Sequence, residues 1–222
     1  MKQFKDYIVE KGLASESKKQ TAILIDWVYS NYIKEYNKNQ PEVVGWLDGS
    51  KNALIRNEIL YEIGIQESDS VLDIGCGVAH FYYFLKNQGW TGEYLGIDPN
   101  LAAIQLVDEE INTKCGIIED LDDSKYDWVV ASGVFNIGLE ESIAWWIIHN
   151  MIKRAEKGIV FNMLKYPYEN KRYECFIPEE VETKLKEYDH RKIEIVDGYF
   201  SGEEEFTVYF YKENKNENFT RI

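Results

Sequence analysis

Two aspartates and two glycines in this sequence have the types and spacing to hold one ligand. Asp73, Gly75 and Gly77 close the apolar run of VLDIGCGVAH (71–80), and Asp98 closes that of YLGIDPN (94–100), 21 residues after Gly77. Glycines at a strand end let the backbone turn sharply and let a ligand approach its amides, and a helix starting near Val78 directs its positive end toward the same space. A carboxylate ending the next strand can accept hydrogen bonds from a ribose diol. The dinucleotide fingerprint G-x-G-x-x-G/A fails here, because its register from Gly75 puts His80 where the third small residue belongs. Asp73 would also oppose a pyrophosphate, whereas it suits an ammonium group. The residues therefore point to a ribose-bearing ligand with positive charge.

Each residue has a plainer reading too. The glycines could serve strand-to-helix packing alone, Asp98 could cap the helix after Pro99, and Arg56 could pair with Glu58 or Glu62 on the surface. His80 could be a solvated polar residue, and His149, inside a helical pattern after AWWII, reads as structural. Cys76 lies between the glycines, where its backbone matters more than its thiol.

Holding these residues together requires strands that end side by side. From residue 70 short apolar runs alternate with longer amphipathic ones: SVLDIG, FYYFLKNQG, EYLGID, LAAIQLVDEEI, KCGII, YDWVVAS, SIAWWIIHNMIKRA and KGIVFNML. That alternation predicts an α/β fold, a parallel sheet with helices on both faces and ligands beyond the carboxyl ends of its strands. The tail RKIEIVDGYFSGEEEFTVYFYK has two β-prone runs around a glycine-containing turn, which predicts a closing antiparallel hairpin. Upstream, SESKKQTAILIDWVYSNYIKEY reads as an amphipathic helix capped by Ser17 and Gln20. The turn-rich NKNQPEVVGWLDGSKN separates it from a second helical stretch, ALIRNEILYEIGI. One domain is expected over 1–222, with a helical extension at 1–40 and a core at 43–212.

Composition narrows the partners. At 222 residues the chain suits one hydrophobic core, and with 45% hydrophobic residues it is not a disordered sequence. No apolar run approaches the ~20 residues that span a bilayer. The opening MKQFKDYIVEKG lacks a secretory signal, so a cytoplasmic protein without membrane contact is expected. Three scattered cysteines suggest neither disulfides nor a metal site. Twenty-five Lys and Arg against 39 Asp and Glu leave a net charge of −14, which disfavours nucleic acid.

VLDIGCGVAHF resembles the first motif of class I S-adenosylmethionine-dependent methyltransferases, with Ala79 where that family often has a third glycine. YLGIDPN resembles its second motif. GIIEDL is similar to the segment flanking the adenine, with Ile118 and Glu119 at contact positions and Ile117 where an aspartate is frequent. YDWVVASGVFNIG is similar to the fourth-strand motif, which would put Ser132 and Gly133 along the methionine portion and Val134 or Phe135 at the approach to the methyl group. FTVYFYK resembles the last strand, and NALIRNEIL an entry helix whose arginine meets the cofactor carboxylate. Arg56 is that candidate, since a guanidinium fork binds both carboxylate oxygens.

The resemblance implies a Rossmann-like, doubly wound, mainly parallel seven-stranded sheet with a C-terminal antiparallel hairpin and N-terminal helices. It implies S-adenosylmethionine as cofactor, held by Arg56, Asp73, Gly75, Cys76, Gly77, His80, Asp98, Pro99, Ile118, Glu119, Ser132, Gly133 and Val134. No catalytic residue is assigned; proximity supplies most of an in-line transfer, and His80 or a lid tyrosine could relay a proton. MLKYPYENKRYECFIPEE, with Tyr166, Tyr168, Tyr173 and Phe176, is the candidate lid, and a leading helix with Trp27 and Tyr32 could cover the other side. No PPY or Pro-Cys pair follows the fourth strand, which leaves a small-molecule acceptor by elimination. Two other classes compete: a non-catalytic sensor or partner subunit that binds S-adenosylmethionine or S-adenosylhomocysteine, and a nicotinamide-dependent reductase.

Overall fold

The computed structural model describes residues 32–44, 50–136, 139–166, 175–199 and 205–213. Seven strands share one sheet: β1 (Val71–Ile74), β2 (Tyr94–Asp98), β3 (Thr113–Cys115), β4 (Tyr126–Ala131), β5 (Ala155–Leu164), β6 (Lys192–Asp197) and β7 (Glu205–Tyr211), in the order β3-β2-β1-β4-β5-β7-β6. β1 to β5 pair in parallel, and β7 runs antiparallel to β5 and β6. This is the expected Rossmann-like sheet with its antiparallel hairpin. The chain winds outward from β1 to β3 and then returns to place β4 on the other side of β1. The reversal opens a crevice at the carboxyl ends of β1 and β4.

The helices that pack on the sheet are α1 (Ser50–Tyr61), which precedes β1, and α2 (His80–Asn87), α3 (Leu101–Ile104), α4 (Glu141–Arg154) and α5 (Pro178–Leu185), which join strands. Side chains alternate across a strand, so β4 and β5 feed both faces. Val129, Ala131, Ile159, Phe161 and Met163 join one core with Trp145, Ile148 and Met151 of α4 and Leu185 of α5. Trp128, Val130 and Val160 join the other, with Leu60 of α1 and Phe81, Phe84 and Leu85 of α2. Each such large side chain contributes roughly 1.5–3 kcal/mol through burial.

At the amino ends of the strands, away from the crevice, Asp69 collects donors. Trp128 Nε1 of β4 donates to it at 2.7 Å and the Gln66 amide at 3.0 Å. Lys157 of β5 pairs with Asp69 and also with Asp127, at 3.2 Å from the latter. This cluster fixes how β1, β4 and β5 stack, and so where their opposite ends emerge.

Two helices differ from their sequence patterns. α2 begins at His80 rather than near Val78, because Ala79 takes a left-handed conformation (φ 62°) and delays helix entry. α3 ends at Ile104, since the Leu106 and Val107 amides bond three residues back instead of four. Residues 32–35 are helical, but Trp27 and the Ser17–Gln20 cap lie outside the described residues. No described helix is long and apolar enough to cross a membrane.

Candidate cofactor site

The loop leaving β1 stays hooked to β2: the Gly75 and Cys76 amides both donate to the Ile97 carbonyl, at 2.8 and 3.2 Å. Gly75 (φ +71°) and Gly77 (φ +54°) adopt left-handed conformations that favour glycine. A Cβ on Gly75 would also stand 2.5 Å from Val134 Cγ2, so the loop after β1 and the turn after β4 meet without room for a side chain.

The backbone orients both acids. Asp98 accepts from the Gly77 amide at 2.9 Å and the Asn100 amide at 2.7 Å, which ties the ends of β1 and β2 together. Two backbone amides thus fix the direction of this carboxylate. The cap of α3 is Asn100, not Asp98: its Oδ1 accepts from the Ala103 amide at 3.1 Å. Asp73 is buried in β1, and Tyr94 donates its hydroxyl to it at 2.7 Å. Burial pushes the Asp73 carboxyl up to about 7; the Tyr94 bond opposes this and the charge of Asp98 adds to it.

Cys76 is buried, with its Sγ against Gly96, where a Cβ would approach to 2.7 Å. Burial, then the charges of Asp73 and Asp98, push its thiol pKa up, which leaves it a poor nucleophile. His80 donates Nε2–H to the Lys38 carbonyl at 2.9 Å, and burial lowers its pKa, so it is a neutral ring holding the 32–44 segment against α2. Lys38 also pairs through its side chain with Asp108, which accepts from Tyr83.

These elements enclose a cleft of ≈ 1230 Å³, solvent at its mouth included. Twelve of the thirteen residues expected from sequence line it: Asp73, Gly75, Cys76, Gly77, His80, Asp98, Pro99, Ile118, Glu119, Ser132, Gly133 and Val134. Arg56 does not. Its Nε lies 3.2 Å from Glu205, a partner 149 residues away, and neither Glu58 nor Glu62 holds that atom. The neighbouring Asn57 lines the cleft instead.

Sequence reasoning also missed Asn100 and the wall formed by Leu139, Ile143, Trp146 and Ile147. For Asn57 a signal existed, because Ala53, Asn57 and Leu60 are spaced as one helical face and all three are buried. The lid expectation is not met by the described residues: Tyr166 and Phe176 border a separate, smaller cavity, and Tyr168, Arg172 and Tyr173 lie outside them. Ile33 and Val43 cover the cleft from the N-terminal side.

A family model described as a methyltransferase domain matches residues 18–138, more than half of the chain. The chain belongs to the methyltransferase domain family. It is an S-adenosylmethionine-dependent methyltransferase of class I, and S-adenosylmethionine is its cofactor.

Solved structures agree on the fold of this methyltransferase. A SAM-dependent methyltransferase from Archaeoglobus fulgidus is 16% identical, with a TM-score of 0.60 over 74% of this chain and 96% of that one. The N-methyltransferase NodS from Bradyrhizobium japonicum, in complex with S-adenosyl-L-homocysteine, is 19% identical (TM-score 0.57; 71% and 85% covered). Magnesium protoporphyrin IX methyltransferase from Synechocystis, with bound SAH, is 13% identical (TM-score 0.57; 73% and 81% covered). No curated protein matches the sequence.

The cleft of the methyltransferase suits a cationic nucleoside. Asn57, Asn100 and Ser132 line it, and their Oδ1, Nδ2 and Oγ atoms are buried and have no hydrogen-bond partner. A buried polar atom costs about 1–3 kcal/mol until paired, so three such residues on one cleft fit a site that a polar ligand completes. Among its described lining residues are three carboxylates, Asp73, Asp98 and Glu119, and no lysine or arginine. Ala79 is the one non-glycine residue with positive φ among those described, which gives a conformational reason for glycine at the corresponding place in the family motif.

Proposed function

We propose that the chain transfers a methyl group from S-adenosylmethionine to a small-molecule acceptor held in the same cleft. The observation that carries the reading is the convergence of Asp73, Asp98, Asn57, Asn100 and Ser132 on one cleft at the point where the strand order reverses. When bound, the cofactor supplies an electrophilic methyl group on a sulfonium. Asp98, aimed by two amides, takes the ribose hydroxyls, and Asn100 Nδ2 donates beside it. Asp73 faces the ammonium group, with Asn57 Oδ1 as a further acceptor. Gly75, Gly77 and Gly133 let the backbone close on the methionine portion. Ile118 and Pro99 form apolar contacts with the base, with Glu119 at its edge.

Acceleration in this reading comes from alignment and water exclusion rather than from a protein base. The His80 Nε2 proton is committed to the Lys38 carbonyl and the Tyr94 hydroxyl to Asp73. A small acceptor is supported by the volume of the cleft and its apolar wall of Leu139, Ile143, Trp146 and Ile147. The net charge of −14 argues against a nucleic-acid acceptor. Among the fold's neighbours, one is named for a magnesium protoporphyrin and another as an N-methyltransferase.

The test combines binding with turnover. Asp98→Ala should weaken S-adenosylmethionine by about 1.5–3 kcal/mol in calorimetry, roughly 10- to 150-fold; unchanged affinity would remove the ribose assignment. Incubation with a panel of small amines, alcohols and carbon nucleophiles should release S-adenosylhomocysteine. Tight binding with no turnover on any of them would favour a sensor.

A further inference from the structure

We propose that Glu205 is a positioning residue for the methionine end of the cofactor, acting through Asn162 on the backbone of Gly133; this rests on the reading that Gly133 borders that end. Glu205 opens β7 opposite Leu164, and Thr207 lies opposite Asn162 on β5. Both chains alternate with period two, so Asn162, Thr207 and Glu205 share the face that packs under α1. Lower on that face Val160 and Tyr209 join the apolar core. Toward the crevice the same alternation turns polar and remains buried, with Glu205 2% and Asn162 1% exposed.

Glu205 meets only donors in this cluster. Oε1 accepts from Asn162 Nδ2 at 2.9 Å, Tyr199 Oη at 3.0 Å and Arg56 Nε at 3.2 Å. Oε2 accepts from Asn136 Nδ2 at 2.9 Å and Arg56 Nε at 3.3 Å. Asn162 is thereby held in one amide orientation, since its Nδ2 faces a carboxylate and its Oδ1 must point the other way. There Oδ1 accepts from the Gly133 amide at 2.7 Å. Gly133 (φ +74°) lies in the cleft wall, and Asn136 ends the turn that begins at Val134. One carboxylate thus fixes both ends of the segment after β4, and holds α1 through Arg56.

Stability alone does not require such a cluster, since apolar replacements of buried ionic groups are often neutral or better. The donors as placed use both acceptor oxygens. A glutamine at position 205 has one oxygen and one NH2, and whichever way it turns, the NH2 confronts the amide nitrogen of Asn162 or of Asn136. Relief by flipping Asn162 would aim its own NH2 at the Gly133 N–H and release the loop; relief by flipping Asn136, whose Oδ1 has no partner, would still leave Arg56 Nε, 3.3 Å from Oε2, facing an NH2.

Relocating the charge tests this. Glu205→Gln should speed exchange of the Gly133 amide proton, read by NMR in cofactor-free protein, by at least about tenfold, and weaken S-adenosylmethionine by about tenfold. Asn162→Asp alone sets two carboxylates against each other and should also weaken binding. The double variant should return both readouts to within about threefold of the parent, because the carboxylate then at position 162 accepts from the Gly133 amide and from the carboxamide at position 205 at once. Unchanged affinity in folded Glu205→Gln, or losses that add in the double variant, would overturn the proposal. If Glu205→Gln does not fold, Asn162→Asp against the double variant gives the same comparison: recovery supports the proposal and a further loss overturns it. A parent protein that does not bind S-adenosylmethionine would overturn the cofactor reading and this consequence together, and is told apart because Gly133 exchange still responds to the substitutions.

Discussion

Asp73 and Asp98 end adjacent strands in the same cleft, yet their surroundings give them different work. Asp98 is aimed by two backbone amides, whereas Asp73 receives the Tyr94 hydroxyl and is pushed up to about 7, chiefly by burial. Below that pH it carries a proton in cofactor-free protein and offers no charge to an ammonium. Binding a cation favours the ionised form and releases the proton, so affinity should rise with pH. Between pH 5.5 and 7 the increase in S-adenosylmethionine affinity should exceed about tenfold, and Asp73→Asn should flatten it; a parent curve flat over that range would contradict it. Stability of the cofactor-free protein follows the opposite sign. The folded pKa lies above the unfolded 3.8, so the contribution of this group is full below that value and is lost as pH rises toward 7. Both aspartates were legible as the polar ends of apolar runs. Arg56 was only half legible: its type suits a carboxylate, the structure sets it against Glu205, and no spacing rule links residues 149 positions apart.

At the level of elements, the amino-end cluster and the loop after β1 do separate jobs. Asp69 accepts from Trp128 and Gln66 and pairs with Lys157, so Asp69→Ala would strand a buried indole N–H and an amide. We expect about 2–4 kcal/mol of lost stability in denaturant unfolding with cofactor affinity nearly unchanged; a cofactor defect as large as the stability defect would count against this division. Gly75→Ala should do the reverse. Its Cβ would meet Val134 in a left-handed backbone, so the loop must move. Calorimetry should find cofactor binding weakened by at least about tenfold, at a stability cost of about 1–2 kcal/mol from the backbone conformation. The elements themselves were largely legible, because apolar runs and helical periods survive as sequence patterns. The length of α3 and the start of α2 were not, since a left-handed Ala79 and a few three-residue turns leave no periodic trace.

For the molecule as a whole, cofactor binding and folding are linked, because the cleft exists only when β1, β2 and β4 end together. Saturation at 100 times Kd should add about 2.7 kcal/mol and raise Tm by about 5–10 °C, measured by calorimetric or fluorescence melting. No shift at that saturation would mean that the ligand does not select the folded cleft. The sequence by itself determined the α/β alternation and the set Asp73, Gly75, Gly77 and Asp98, because strand alternation, glycine conformation and carboxylate chemistry are local properties that a short stretch carries with it, while the family resemblance supplied the remaining cleft residues and the seven-stranded sheet. Tertiary structure alone decided that Arg56 meets Glu205, that Asn57 and the α4 wall line the cleft, and that Glu205 reaches Gly133 through Asn162. Those pairings join residues tens to more than a hundred positions apart, and which long-range partners meet is fixed by packing two helical layers onto one twisted sheet.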